Sequence, residues 1–176
     1  AYVVAMACLG VPEWAKAFDT HLLDDFTLRD YGIAQVRFRF PRGTRFPCLP
    51  VDVDGNLIYP LEGISFCASP ELLLAREMGA DLEILKGTVV PADANVRPFR
   101  GFAEFTLAKR NSFEKGSLDE LFWKEVANSL YGKTAQGLSG KRAFENRKGV
   151  YEEMAGSKIT CPLIAAQITS LIRAAV

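Results

Sequence analysis

Histidine is nearly missing from this 176-residue chain, which holds one, His21. Cysteine is sparse and scattered: Cys8, Cys48, Cys67 and Cys161 form no C-x-x-C pair, so with a single imidazole the spacing of a zinc site is absent. Such cysteines read as buried, reduced thiols in a cytoplasmic protein. No apolar run reaches membrane-spanning length, and no basic stretch leads to a cleavage site, so neither a membrane partner nor a signal peptide is expected. Internal repeats and low-complexity tracts are also missing. Net charge is zero, with 21 basic and 21 acidic side chains. That balance conceals an asymmetry: residues 1–96 carry 8 basic and 13 acidic groups, whereas residues 97–148 carry 11 basic and 6 acidic. A basic segment of that kind suits a polyanionic ligand.

What is present is apolar patterning. With 49% apolar residues the chain can bury a substantial core, as one domain or a domain with a small lobe. Ala1 to Leu9 is apolar, a buried strand or turn leading into a short helix, stopped by Gly10-Val11-Pro12; a short helix is read around Trp14–Phe18. Ile33 to Phe40 alternates with period two, which predicts a half-buried strand. Asp54-Gly55-Asn56 between Val51–Val53 and Leu57–Tyr59 is a hairpin signal, and another strand follows at Gly63–Cys67. Ser69-Pro70-Glu71 opens a helix, with Ser69 at the N-cap, that stops at Gly79. Asp81–Lys86 reads as a strand continuing through Val90, and Pro91 to Pro98 as a linker. Two helices at Gly101–Lys109 and Leu118–Gly132 form an antiparallel hairpin across a short polar loop. Ser117 and Glu120 have the spacing of a capping box for the second helix. Residues 133–158 are poorly patterned, with a strand near Gly149–Glu152, and Pro162 to Val176 is a final helix. The chain starts without Met and ends inside a helical pattern, so it is expected to be a piece of a larger protein.

The second helix of the hairpin carries the most informative spacing. At about 100° per residue, Lys124, Asn128 and Tyr131 fall within roughly 60° of one another. Leu118, Phe122, Val126 and Leu130 form a ladder at spacing four on nearly the opposite side, which predicts that the ladder packs inward and the polar stripe faces a ligand. An ammonium meets phosphate as a point charge, and an Asn amide both donates and accepts. Tyr131 adds a flat face, and Gly132 permits close backbone approach.

Read as K-x-x-x-N-S-x-Y-G, residues Lys124 to Gly132 resemble the nucleotide-gripping helix of family B DNA polymerases, in particular the protein-primed and organellar or viral branch. Ala1-Tyr2-Val3 resembles the tail of that family's first palm motif, D-x-x-S-L-Y-P, with Val3 where Pro is usual. The resemblance implies that Tyr2 lies beneath the sugar of the incoming nucleotide and excludes a ribose 2′-hydroxyl. Gly32–Val36, Pro47-Cys-Leu-Pro50, Leu57-Ile-Tyr-Pro60 and Ser69-Pro-Glu-Leu72 follow in the family's order. Family members present a cation from the first fingers helix to the triphosphate; Lys109 and Arg110 occupy that position, and Arg110 has the better geometry for phosphate. Ile159-Thr-Cys-Pro162-Leu, Ile168-Thr169 and Arg173 resemble the helix that returns from fingers to palm, where Arg173 would pair with an acidic palm residue.

The resemblance also implies two magnesium ions, held by an Asp just before residue 1 and by a D-T-D motif beyond Val176. Neither lies in this chain, no metal-binding residue is assigned here, and Asp52 and Asp54 read as turn residues. The expected fold is α+β: part of a polymerase palm with an antiparallel sheet (1–98, with a possible insertion at 13–60 that in protein-primed members touches a terminal protein and the template), the fingers helical hairpin (99–133), and a return to the palm (134–176). The expected function is that of a DNA-directed DNA polymerase fragment, inactive alone, binding dNTP through Tyr2, Arg110, Lys124 and Asn128 and the nascent base pair through Tyr131 and Gly132. Template-primer DNA, dNTP and a terminal protein are the candidate partners. The alternative is a non-enzymatic nucleic-acid-binding module using the basic 97–148 segment.

Overall fold

The computed structural model describes residues 2–138, 140, 142–153 and 155–175. Ala1, part of the motif tail, and Val176, the predicted end of the last helix, lie outside the described residues. The chain runs through α1 (Tyr2–Cys8), β1 (Val11–Pro12), β2 (Phe18–Thr20), β3 (Tyr31–Arg39), β4 (Val51–Val53), β5 (Asn56–Ile58), β6 (Glu62–Ala68), α2 (Ser69–Glu77), β7 (Asp81–Val90) and β8 (Ala92–Asp93). It continues through α3 (Arg100–Asn111), α4 (Leu118–Thr134), β9 (Arg142–Glu145), β10 (Val150–Glu153) and α5 (Pro162–Ala175). The fold is α+β, as the patterning predicts.

Period-two alternation in β3 decides the main sheet, an antiparallel array in the order β2-β7-β3-β6. Ala34, Val36 and Phe38 point to one face and meet Cys67, Ile84, Leu72 and Ala75 in the largest core cluster. The alternate residues Arg37 and Arg39 point to the other face, where they sit directly opposite Glu83 and Glu62 and pair with them, the latter at 2.9 Å. Cross-strand charge pairs of this kind support register more than stability. In the β4–β5 hairpin, Asp54 and Gly55 both take positive φ, 52° and 81°, and Asp52 accepts from the Gly55 amide at 2.8 Å. Asp54 is a turn residue, as read from sequence, whereas Asp52 lies in β4 and its side chain closes the turn.

The segment read as a linker at 91–98 is more ordered than that. Its β8 pairs antiparallel with β1, Val11 opposite Asp93 and Pro12 opposite Ala92. A Cβ on Gly10 would lie 2.5 Å from the Asp93 carbonyl oxygen, so the two strands approach this closely because that position is glycine. Residues 11–93 therefore leave the helices and return at one neck, as a closed excursion that contains the whole four-stranded sheet.

The helices α1, α3, α4 and α5 form a second body. Met6, Leu9, Leu163 and Ile168 share a core with Tyr31 and Val90, and Val3, Ala103 and Ala127 form a smaller contact among α1, α3 and α4. Helix α5 ties this body to the excursion: Arg173 Nη1 meets the buried Glu71 carboxylate at 3.2 Å, and the Glu71 amide donates to Ser170 Oγ at 3.1 Å. Arg173 thus has an acidic partner, and that partner lies within the 11–93 excursion.

Three local expectations need correction. The ladder on α4 does not pack inward as a unit: Leu118 is 83% and Phe122 57% exposed, and the buried residues are Glu120, Ala127 and Thr134. The contact with α3 and α1 centres on Ala127 against Ala103 and Val3, with Phe102 and Leu107 packed beside them, and this places the packed stripe of α4 away from Leu118 and Phe122. Ser69 is not the N-cap of α2; Ala68 is, and the Ser69 hydroxyl is buried with no hydrogen-bond partner among the described residues. Ser117 does cap α4, accepting from the Glu120 amide at 3.2 Å, but the reciprocal half of the box is not made, because the Glu120 carboxylate is engaged by Arg110. Within residues 133–158, the strand expected near Gly149–Glu152 is β10, and β9 is a partner the sequence did not indicate, paired Arg142 to Glu153 and Glu145 to Val150.

Candidate functional site

Three helices bring the site residues together. Tyr2 lies on the first turn of α1 and Tyr131 near the end of α4, and their rings stack with centroids 4.4 Å apart and planes 17° from parallel. An offset stack of this kind is a favourable aromatic geometry. These two residues are 129 positions apart in sequence, and the sequence motifs gave no sign that their rings touch. The Tyr131 hydroxyl reaches α5, 2.9 Å from Thr169 Oγ1. This contact forms part of the wall of an open cleft of about 410 Å³ shared with Phe66, Ala166 and Arg173. The sequence motifs give Thr169 no role beyond the general likeness of its helix; only the folded chain places it against Tyr131.

Lys124 lies two turns before Tyr131 on α4, which is one unbroken helix from Leu118 to Thr134. Seven residues at 1.5 Å each put the two about 10 Å apart along the axis and within about 20° in azimuth. Lys124 is exposed and Asn128, between them, half-buried. Helical spacing thus puts Lys124 and Asn128 on the side of α4 that carries Tyr131, while the Tyr131 phenol is turned toward α5. Gly132 is exposed, and a Cβ built there meets nothing within 4 Å. Nothing inside the chain demands glycine at that helical position.

Arg110, in the last turn of α3, donates through Nε to Glu120 in the first turn of α4. Glu120 is buried, its side chain 7% exposed, and its second oxygen accepts from the Gly116 amide at 3.4 Å. The Arg110 hydrogen bond holds the Glu120 carboxyl below its ordinary range against the opposing effect of desolvation, helped by the Gly116 amide and the Lys124 charge. Arg110 is thus engaged at the mouth of the hairpin, and among the described residues its terminal Nη groups make no hydrogen bond. Lys109 instead extends over the Phe105 ring, 5.9 Å from its centroid.

A wider depression of about 540 Å³ lies on the outer sheet face, lined by Arg37, Arg39, Glu62, Asp81 and Glu83. Its arginines are paired with its glutamates, so it offers no net cation to a phosphate. Among the described residues no group of three or more His, Cys, Asp or Glu could hold a metal ion, and the residues present do not assemble a magnesium site. Burial pushes the Cys67 thiol up and Cys48 up to about 11, which keeps both protonated and unreactive at neutral pH. No helix among the described residues is long and apolar enough to cross a membrane.

No family model matches the chain. Over an alignment of 185 residues it is 38% identical to the primer-independent DNA polymerase PolB of Escherichia coli, covering 100% of this chain and 21% of that protein. Its fold matches phi29 DNA polymerase in complex with primer-template DNA and incoming nucleotide substrates, with a TM-score of 0.67 and 18% identity over 98% of this chain and 32% of that one. It also matches the orthorhombic crystal form of the phi29 enzyme, with a TM-score of 0.63, 18% identity, and coverage of 98% and 33%. The chain spans about a fifth of the length of the curated relative and a third of the solved polymerase. It is a homologue of one segment of a DNA polymerase and has the fold of the corresponding part.

Proposed function

We propose that this chain, related along its whole length to one segment of a DNA polymerase, is the palm-to-fingers segment of a family B enzyme that binds the incoming deoxynucleotide and template-primer DNA. The observation that carries the reading is the Tyr2–Tyr131 stack at the foot of α4, with Lys124 about 10 Å along the same side of that helix. A flat aromatic floor at one end and an exposed ammonium at the other suit a molecule with a base at one end and phosphates at the other. In this reading α3 and α4 are the fingers (99–133), residues 134–176 return to the palm, and residues 1–98 are palm with an insertion. The neck at β1 and β8 supports an insertion spanning 11–93 rather than 13–60. Such an excursion is the segment on which a terminal protein would bear.

Each residue has a part. Tyr2 sits beneath the sugar and clashes with a 2′-hydroxyl. Lys124 draws the triphosphate, Arg110 adds its free Nη edge, and Asn128 contributes a polar contact between phosphate and base. Tyr131 supports Tyr2 beside the nascent base pair, and Gly132 lets the base pair approach the helix backbone. Holding the nucleotide in this way supplies the orientation on which in-line attack depends. Magnesium in the intact enzyme would activate the primer 3′-hydroxyl and stabilise developing charge; its ligands belong to the rest of the parent chain, and this segment alone is inactive. Titration of the full-length parent with magnesium-dNTP and, separately, with short duplex DNA tests the reading. We expect saturable dNTP binding that weakens when Lys124 is removed. Binding of duplex DNA alone, with free dNTP ignored, would instead favour a non-enzymatic module acting through the basic 97–148 segment.

A further inference from the structure

A hydroxyl has one proton, and Thr169 places its own on the Ala165 carbonyl one turn back, at 2.9 Å. Thr169 Oγ1 is then an acceptor toward Tyr131, and the Tyr131 phenol is the donor across the 2.9 Å between them. Tyr131 is held at both ends: its backbone in α4, its hydroxyl on α5. The torsion that swings a tyrosine ring is otherwise broad. Tyr2 lies flat on that anchored ring, and among the described residues the Tyr2 hydroxyl makes no hydrogen bond of its own. The stack therefore bears on the plane of the Tyr2 ring.

From this geometry we infer that Thr169 is a positioning residue for sugar discrimination, acting through Tyr131 on Tyr2. The inference rests on the reading of Tyr2 as the residue beneath the incoming sugar. Exclusion by clash requires a wall that does not retreat. A ring free to tilt yields to a 2′-hydroxyl, yet it accommodates a deoxyribose as well as before. Removing the Thr169 hydroxyl should therefore relax ribonucleotide exclusion and leave deoxynucleotide use nearly intact. The loss of one hydrogen bond corresponds to roughly a two- to tenfold change in the ratio.

The test uses the full-length parent polymerase and compares kcat/KM for a deoxynucleotide and its ribonucleotide on one template-primer. Thr169→Val keeps the shape and removes the acceptor; we expect relative ribonucleotide use to rise by roughly two- to tenfold, with deoxynucleotide kcat unchanged. Thr169→Ser restores the hydroxyl and should restore discrimination. Tyr131→Phe removes the donor and should raise relative ribonucleotide use by a similar factor, and combining the two should shift that ratio no further. An unchanged ratio in Thr169→Val, an equal fall for both nucleotides, or failure of Ser to rescue would overturn the role of Thr169. Tyr2→Val separates the two levels. If it abolishes discrimination while Thr169→Val leaves the ratio unchanged, the positioning role alone is lost. If Tyr2→Val leaves discrimination intact, the reading of the site fails and this inference with it.

Discussion

The excursion from Val11 to Asp93 and the hairpin of α3 and α4 are held together by different means. The excursion has a four-stranded sheet, a helix laid on one face, and a core in which Val36, Leu49, Leu72 and Ala75 are entirely buried. The hairpin is joined by Ala103 and Ala127 with Phe102 and Leu107 beside them, by an ion pair between Arg110 and Glu120, and by one ring contact at its surface. Its large apolar groups point outward: Leu118 and Phe122 are exposed, and Phe105 packs edge-on against Trp123 at the surface, 5.6 Å between centroids. A region whose apolar residues meet one another is stable by itself. A region that turns them outward and closes on small residues is shaped for contact with something else, and contiguous exposed apolar surface is a mark of such contacts.

The contrast is broken most directly by truncating one large side chain in each region. Leu72→Ala in the excursion leaves a cavity in a closed core, and we expect a loss of about 2–5 kcal/mol in denaturant unfolding. Phe122→Ala in the hairpin removes a larger group yet should cost about 0.5 kcal/mol or less, since most of that ring is already in water. Comparable losses would mean that the hairpin is cored in a way its exposure does not reveal. Next in size is Lys124→Ala, which should leave stability unchanged while nucleotide use by the full-length parent falls. A charge-assisted contact to phosphate lost at that point corresponds to roughly 10- to 100-fold in kcat/KM. Unchanged kcat/KM together with a loss of folding would reverse the assignment of that side of α4.

Legibility in sequence divides along the same line. The excursion is readable because its residues answer to local rules: alternation in β3, Asp54-Gly55 in the hairpin turn, and Gly79 with φ of 79° ending α2. The two long helices were equally plain. What sequence did not disclose was the side of α4 that packs. Spacing-four hydrophobicity points to Leu118 and Phe122, but α1 and α3 meet α4 on another side, where Ala127 packs with Ala103 and Val3. The motif residues Lys124, Asn128 and Tyr131 were legible because helical spacing alone relates them. The stack of Tyr131 on Tyr2 and its bond to Thr169 were not, since three separate helices have to meet before those groups touch. The β1–β8 neck was hidden for the same reason: two-residue strands carry no pattern.

Acid sharpens the comparison further, because the excursion rests on apolar packing and the hairpin on a carboxylate. Glu120 is held below its ordinary value, 4.5, when folded. A depressed folded value means that the Arg110–Glu120 tie contributes fully above the unfolded value and is lost as pH falls through the lower, folded one. Below pH 4.5 the hairpin should loosen before the excursion does, read as faster amide exchange in α3 and the first turns of α4 than in β3 and β7. In Glu120→Gln the hairpin should be loosened already at neutral pH, and it should lose less on further acidification than the parent does.

The smallest effect tests whether the hairpin is shaped for a ligand at all. Gly132 sits inside α4, where glycine costs about 1 kcal/mol relative to alanine, and the space its Cβ would occupy is empty. Gly132→Ala should therefore stabilise this chain by about 0.5–1 kcal/mol in denaturant unfolding, partly by restricting the unfolded state. If a base pair approaches the helix backbone there, the same methyl group will lower nucleotide incorporation by the full-length parent. A gain in stability coupled to a loss in activity is the signature of a residue kept for its ligand rather than for its fold. A gain in both would mean that the open space beside Gly132 faces only solvent, and that the nucleotide lies further toward Asn128 and Lys124.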